Sequence, residues 1–314
     1  MQHDPRKIII GGGISGLVWG FYHPEYTILT PESSGESFTR TYMVWLHDSP
    51  QTRQLLRDLD LPVKPKKSQI GYFVKHWICD YQSPETSHAM IQKKMTEWDK
   101  PIDKTFVPKT SDFSLAKQGG NNYLLSLDVD LTEVIRRLND HVNIVHGVVV
   151  GINDDTITYK EKFDSEGIHI LAYDKAISTI AAPFFWKAYY STKPLEPKEF
   201  KCLPITNIIT TVKPKEFDDR YEMVYYDDTV PFSRVSHIDG KYALEFTGVI
   251  TREKFEELYP ELPVEDYFVV KQGRIFEEEN HPPNDKVTFS GRFAQWKFGI
   301  TTEHVVAQAL NYKE

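Results

Sequence analysis

Apolar residues in this chain come in short runs, and the period of the pattern changes along its length. Lys7 to Ile10 ends in three isoleucines and leads through Gly11-Gly12-Gly13 into Ile14-Ser15-Gly16-Leu17-Val18-Trp19. A brief apolar run bounded by glycine predicts a buried strand, and the positions after it predict a helix. Pro24 stops that helix. Tyr26 to Thr30 predicts a second strand, and Ser49 to Asp60 a helix that ends before Leu61-Pro62. Lys64-Pro65-Lys66-Lys67 reads as a basic turn. Ile70 to Tyr81 alternates, with Tyr72, Val74, His76 and Ile78 on one face and Phe73, Lys75, Trp77 and Cys79 on the other, which predicts one strand.

Helices follow at Pro84 to Lys100 and Asp130 to Asn139, and strands at Asn143 to Ile152 and Tyr173 to Pro183. Ile205 to Val212, Tyr221 to Tyr226, Phe232 to His237 and Tyr242 to Val249 read as strands, with Asp239-Gly240 as a hairpin turn. Thr251 to Tyr259 predicts a helix and Lys286 to Ser290 a strand. A last helix starts near Thr301 or Thr302, both good N-caps.

The order strand, glycine turn, helix, strand gives the first segment a chemical meaning. Gly11-x-Gly13-x-x-Gly16 fits the dinucleotide-binding fingerprint. Gly11 allows the tight turn, Gly13 lets backbone approach a pyrophosphate, and Gly16 lets the helix pack on the strand. Ser15 lies in the same turn, where the helix N-terminus offers N–H groups to phosphate. The fingerprint expects an acid about 20 residues on, at the ribose. The nearest candidate is Glu32, in Thr30-Pro31-Glu32.

Residues 290–310 carry a resemblance. Gly291-Arg292 follows the strand at 286–290, and a loop with Trp296-Lys297 leads to the helix at Thr301. This segment resembles the C-terminal flavin segment of the FAD-dependent amine oxidase, protoporphyrinogen oxidase and UDP-galactopyranose mutase superfamily. The resemblance implies non-covalent FAD. It places Gly291 and Arg292 beside the phosphates and ribityl chain, and Trp296 and Lys297 close to the flavin. It aims the N-terminus at Thr301 and Thr302 toward the flavin N1–C2=O edge, where a helix dipole stabilises negative charge. Asn143 to Ile152 is similar to the family strand that pairs with adenine, with Val149 as the contact. Tyr173 to Pro183 is similar to the strand that returns beneath the FAD. The family follows its acid with a Gly-Gly pair and a basic residue; here only Gly35 and Arg40 stand nearby, with Arg40 as a phosphate contact. The implied fold class is α/β: a Rossmann-like FAD-binding domain with an antiparallel-sheet plus helix substrate domain. The FAD-binding domain takes 1–48, 125–185 and 269–314. The substrate or cap domain takes 49–124 and 186–268.

Composition narrows the rest. The 314 residues carry a formal net charge of −8, which argues against non-specific nucleic-acid binding. The two cysteines, Cys79 and Cys202, have no matching spacing and suggest reduced thiols in a cytoplasmic setting. The polar first residues run straight into the first strand, so no signal peptide is expected. No apolar run reaches the ~18 residues of a membrane span. No His or Cys spacing suggests a metal site, and no Gly-x-Ser-x-Gly suggests a serine nucleophile.

The chemistry is therefore expected from the cofactor, with Arg234, Lys297 and Tyr226 as catalytic or anchoring candidates. Tyr72, Trp77 and Tyr225 are candidate cavity walls. The first expectation is oxidation of a C–N bond in an amino-acid-like substrate by hydride transfer to FAD. The substrate is a small molecule or a modified nucleotide, since compact flavoenzymes of this sort also occur in phage pathways of thymine hypermodification. One alternative is a reduced-flavin mutase acting on a nucleotide sugar. Another is a non-catalytic binding protein that keeps FAD for structure.

Overall fold

Three isoleucines in a row can be buried on both sides only in the middle of a covered parallel sheet, and that is where they lie. The computed structural model describes residues 6–31, 46–79, 93, 123–161, 167–192, 200–276, 278–297 and 299–313. In chain order its elements are β1 (Lys7–Ile10), α1 (Ile14–Tyr22), β2 (Thr27–Thr30), α2 (Pro50–Asp58), β3 (Pro65–Val74), β4 (Trp77–Cys79), β5 (Tyr123–Leu127), α3 (Leu131–Asn139), β6 (Asn143–Ile152), β7 (Thr156–Glu161) and β8 (Ile168–Ala172). There follow β9 (Lys175–Ser178), α4 (Ala182–Tyr190), β10 (Cys202–Thr210), β11 (Met223–Tyr226), β12 (Arg234–Ile238), β13 (Lys241–Thr247), α5 (Arg252–Leu258), β14 (Asp266–Ile275), β15 (Val287–Phe289), α6 (Arg292–Gln295) and α7 (Thr302–Asn311). They divide into two compact units, one of 1–64, 127–201 and 276–314, the other of 65–126 and 202–275.

The first unit holds a sheet of order β15-β9-β1-β2-β6-β7-β8. The strands from β15 to β6 run parallel, and β6, β7 and β8 form an antiparallel meander. Leu17, Val18 and Trp19 of α1 pack one core with Leu55 and Leu56 of α2, Val134 and Leu138 of α3, and Val305 and Val306 of α7. Phe185 and Tyr189 of α4 build a second core with Ile152, Ile157 and Phe289.

Two segments sit differently from the sequence reading. The 49–60 helix belongs to this unit, because Leu55, Leu56 and Leu59 are buried against α1 and α7. The aromatic run at 184–190 is a helix of this unit, and the chain leaves only after Lys201.

The second unit holds a sheet of order β14-β10-β13-β12-β11-β3-β4, with β5 paired to β3. From β14 to β4 the neighbours are antiparallel, except that β3 and β11 run parallel. Those two strands come from separate chain segments, so no hairpin sets their direction. The predicted 70–81 strand is a hairpin, turned at Lys75 and His76 with φ of 50° and 72°. Phe73 and Ile78 are consequently cross-strand neighbours. Pro65 opens β3 instead of a linker turn. β14 extends through Ile275 within this sheet, past the expected domain boundary at Val269. One sheet face packs Val224, Tyr226, Val235, Leu244 and Phe246 against Phe232 and Phe255. Among the described residues no helix is long and apolar enough to cross a membrane.

Candidate active site

The glycine turn in the first unit is shaped by contacts on every side but one. Gly11 has φ of +108°, and a Cβ there would lie 2.7 Å from Thr179 Oγ1 and 2.8 Å from Ile180 Cγ2. Thr179 Oγ1 donates to the carbonyls of Ile10 at 3.1 Å and Gly11 at 3.0 Å, stapling the turn to the end of β9. A Cβ on Gly12 would meet the Thr30 side chain at 2.8 Å, and one on Gly16 would lie 1.9 Å from the Gly11 carbonyl oxygen. Gly16 is thus the close-packing glycine, as its spacing predicts. Gly13 is the exception: a Cβ there has nothing within 4 Å. Its φ of −69° and ψ of 179° suit any residue. The left-handed requirement falls on Gly11, while Gly13 borders open space at the N-cap of α1. As a glycine, Gly13 offers no side-chain cap, so among the described residues the first N–H groups of the helix are left for an acceptor there.

Gly291 comes to this turn from the other end of the sequence. It is the N-cap of α6 with φ of 86°, and a Cβ on it would lie 2.6 Å from Ser15 Oγ. Behind it, Trp19 Nε1 donates to Ser290 Oγ at 2.6 Å, and Ser290 Oγ donates to Gln308 Oε1 at 2.8 Å. A buried hydrogen-bonded chain therefore fixes α1, β15 and α7 together around the two glycine turns. Ser290 N donates to the Ser178 carbonyl at 3.0 Å, and the buried Ser178 hydroxyl has no partner. Arg292 follows in the first turn of α6, half-buried.

Trp296 adopts the left-handed conformation, φ 53°, at the C-cap of α6. It is fully buried edge-on to Phe200, with its Nε1 unpartnered. Lys297 is exposed just beyond it. Val149 lies in β6 after the ladder with β2 ends at His146. Its strand partner is Tyr159 of β7, and among the described residues no strand pairs the edge that β2 vacates. Glu32 and Arg40 lie outside the described residues.

Thr301 is the N-cap of α7 and Thr302 its first residue. Thr301 N and Oγ1 both engage His304 Nδ1, at 3.3 and 2.7 Å. The first turn also carries an acid that the sequence reading missed. Glu303 Oε1 is 2.8 Å from His47 Nδ1. Burial alone would raise the Glu303 carboxyl, but the hydrogen bond and charge of His47 override it and hold it at about 2.

In the second unit the strand register brings scattered residues into one row. Tyr72, Tyr225, Arg234, Glu245 and Asn207 are successive cross-strand partners on β3, β11, β12, β13 and β10. Partners in a ladder share a face, so all five side chains project from the sheet face opposite Tyr226. Tyr72 and Tyr225 stack with centroids 5.9 Å apart, and the Arg234 guanidinium lies 5.7 Å from the Tyr225 ring. Arg234 Nη2 donates to Glu245 Oε2 at 2.6 Å. Burial opposes the Arg234 charge, and the Glu245 carboxylate overrides it, so the proton is held more firmly than usual. Burial, with Tyr225 adding to it, pushes the Tyr72 phenol up and keeps it neutral.

Two predicted residues are corrected here. Tyr226 is 1% exposed in the apolar core and donates its hydroxyl to the Glu216 carbonyl at 3.1 Å, so it has no access to substrate. The period of two puts it on the face opposite its neighbour Tyr225. Trp77 is 76% exposed at the β3–β4 hairpin and walls no cavity there. The sequence reading missed Glu245, Arg274 and Lys93. Lys93 is 5% exposed and donates to the carbonyls of Asp227, Val230 and Phe232 at 2.6–2.7 Å, fixing the loop that leads into Arg234. A charged residue inside a strand pattern was the available signal for Glu245. Among the described residues no group of His, Cys, Asp or Glu converges as a metal site.

No family model and no curated protein matches the sequence. Solved structures match the fold over nearly the whole chain. Reduced UDP-galactopyranose mutase is 12% identical, with a TM-score of 0.57, over 98% of this chain and 94% of its own. A putrescine oxidase double mutant is 11% identical, with a TM-score of 0.54, over 97% of each chain. The fold is that of the amine oxidase-like flavoproteins. A glycerol-3-phosphate dehydrogenase from Bacillus halodurans, complexed with FAD, shows it too, at 11% identity and a TM-score of 0.54, over 98% of this chain and 63% of its own. Within this amine oxidase-like flavoprotein fold, the first unit carries the parallel sheet and the glycine turn. The second unit's sheet carries the tyrosine–arginine row.

Proposed function

We propose that the chain is an FAD-dependent oxidoreductase that oxidises a C–N bond in an amino-acid-like substrate. The glycine turn fits the cofactor. Gly11, Gly12 and Gly16 are closed by their own packing, while Gly13 leaves space beside an uncapped helix N-terminus. Gly11, Gly13, Ser15 and Gly16 would hold the pyrophosphate, with Gly291 and Arg292 beside it. Val149 would meet the adenine along the vacated edge of β6. Trp296, Thr301 and Thr302 would lie toward the flavin. Glu32 and Arg40 would reach ribose and phosphate. Bound FAD supplies a two-electron acceptor that takes a hydride from the carbon bearing the amine.

The observation that carries the substrate class is the half-buried Arg234 between a stacked tyrosine pair and a buried carboxylate. Arg234 binds an anionic group of the substrate and fixes its distance from the reacting carbon. Tyr72 and Tyr225 give that side an apolar wall and exclude water. Lys297, exposed beyond Trp296, would hold a water or a substrate anion near the flavin. Loss of hydride and a proton leaves an imine, which takes up water and releases the amine. The amino-acid-like group is free or is carried by a modified nucleotide, including a modified thymine of phage DNA. These roles fit a protein of the cytoplasm.

Anaerobic bleaching of the flavin by amino acids tests the reading. Bleaching by one substrate class, with stoichiometric ammonia or amine release, is the expected result. A flavin that chemical reductants bleach and no amine does would overturn it. A second reading has its own observation: Arg274 also reaches Glu245, and paired arginines beside tyrosines suit a diphosphate. A reduced-flavin mutase would then convert a nucleotide sugar without net oxidation. Incubating reduced protein with UDP-galactopyranose and assaying for its ring isomer separates the two.

A further inference from the structure

Both guanidiniums on the tyrosine–arginine face close on one carboxylate. Glu245, 4% exposed, accepts from Arg234 Nη2 on Oε2 at 2.6 Å and from Arg274 Nη2 on Oε1 at 3.2 Å. The trio carries two positive charges and one negative. The Nε of each arginine is buried and has no acceptor. Buried donors without acceptors are costly and rare in folded proteins. Two of them beside a trio with one positive charge in excess mark a place for an acceptor that the described residues do not supply.

We propose that Arg234 and Arg274 are the two arms of a receptor for one singly charged group, a carboxylate, with Glu245 as the positioning residue between them. Glu245 spaces the guanidiniums and cancels one of their two charges. One unit of positive charge remains, which a carboxylate neutralises and a diphosphate overfills. This inference rests on reading the face as the substrate side, and it sets the charge of the group bound there. It assigns Arg274 a substrate contact, and it makes charge count the discriminator between an amino-acid-like ligand and a nucleotide sugar.

The test is isothermal titration of the holoprotein with benzoate and, separately, with UDP at fixed ionic strength. Benzoate joins a carboxylate to a ring that suits the tyrosine pair. Wild-type protein is expected to bind benzoate in preference to UDP. Arg274→Gln should weaken benzoate roughly ten- to a hundred-fold, the range for a lost charge-assisted hydrogen bond. Arg274→Lys keeps the charge that folding needs and should fall between. Glu245→Gln leaves two positive charges and should reverse the preference toward UDP, which a purely structural Glu245 would not do. Melting temperature and flavin content accompany each variant. Wild-type holoprotein that ignores benzoate, or an Arg274→Lys variant with unchanged benzoate affinity, overturns the receptor and leaves the flavoenzyme reading standing. Protein that holds no FAD yet binds benzoate with the predicted variant pattern supports the receptor and sinks the oxidoreductase reading.

Discussion

Gly13→Val separates the binding role of the glycine turn from its folding role. At Gly13 the backbone is φ −69°, ψ 179°, a conformation that valine adopts readily, and an added Cβ has nothing within 4 Å. The protein itself therefore tolerates the side chain. The folding cost is that of a poor N-cap, about 1 kcal/mol or less. The binding cost is larger, because the side chain fills the space beside the α1 N–H groups. Losing two charge-assisted hydrogen bonds at about 1.5–3 kcal/mol each weakens binding by roughly a hundred- to ten-thousand-fold. Gly16→Ala is the contrasting variant. Its Cβ would lie 1.9 Å from the Gly11 carbonyl oxygen, so the helix must shift and the fold itself is damaged. The assay is flavin content after gel filtration, with circular dichroism and urea unfolding of the apoprotein. Gly13→Val should give a folded, colourless protein, and Gly16→Ala an unstable one. Wild-type flavin content in Gly13→Val would refute the cradle. Unfolding as severe as that of Gly16→Ala would refute the claim that Gly13 borders open space.

Other perturbations reach the second unit and the acid limb. Arg234→Ala should raise KM roughly ten- to a hundred-fold with flavin content intact, and Arg234→Lys should already weaken binding because the fork is lost. Unchanged kinetics in Arg234→Ala would return this arginine to a purely structural role. Lys93→Met strips three carbonyls of their donor and should cost about 3 kcal/mol in urea unfolding; an unchanged midpoint would show that the clip contributes nothing. The Glu303 carboxyl is lowered from 4.5 to about 2 in the folded chain, so its stabilisation is complete above pH 4.5 and lost as pH falls toward about 2. Glu303→Gln should therefore flatten the melting-temperature profile across that acid window, and a profile as steep as wild type would remove the His47 pair as its cause.

The first unit, with its glycine turn, was legible because its signals are local. Gly11, Gly13 and Gly16 sit within one turn, and the apolar run before them has the length of a buried strand. There Gly11 carries the positive φ of the tight turn, and Gly13 is needed for space. Gly291 was found through a resemblance, since nothing within the 290–310 segment states that it will touch Ser15. The second sheet was less legible for a topological reason. Its tyrosine–arginine row joins residues 72, 225, 234, 245 and 207, whose order is set by strand pairing across long separations. Tyr226 was misread because two adjacent tyrosines look alike in sequence while the pleat sends them to opposite faces. Glu245 and Arg274 were passed over as single charges in separate strands, which mean little until the fold brings both arginines onto the Glu245 carboxylate. Lys75 and His76 fit an alternating pattern perfectly well and still form a turn, because alternation does not reveal where a strand reverses.

The cofactor released from the purified protein decides whether this chain is a flavoprotein. Heat or acid denaturation should free a yellow small molecule with the mass of FAD, leaving a protein pellet without covalent flavin. A colourless protein that takes up no added FAD would contradict the account, however well its fold matches.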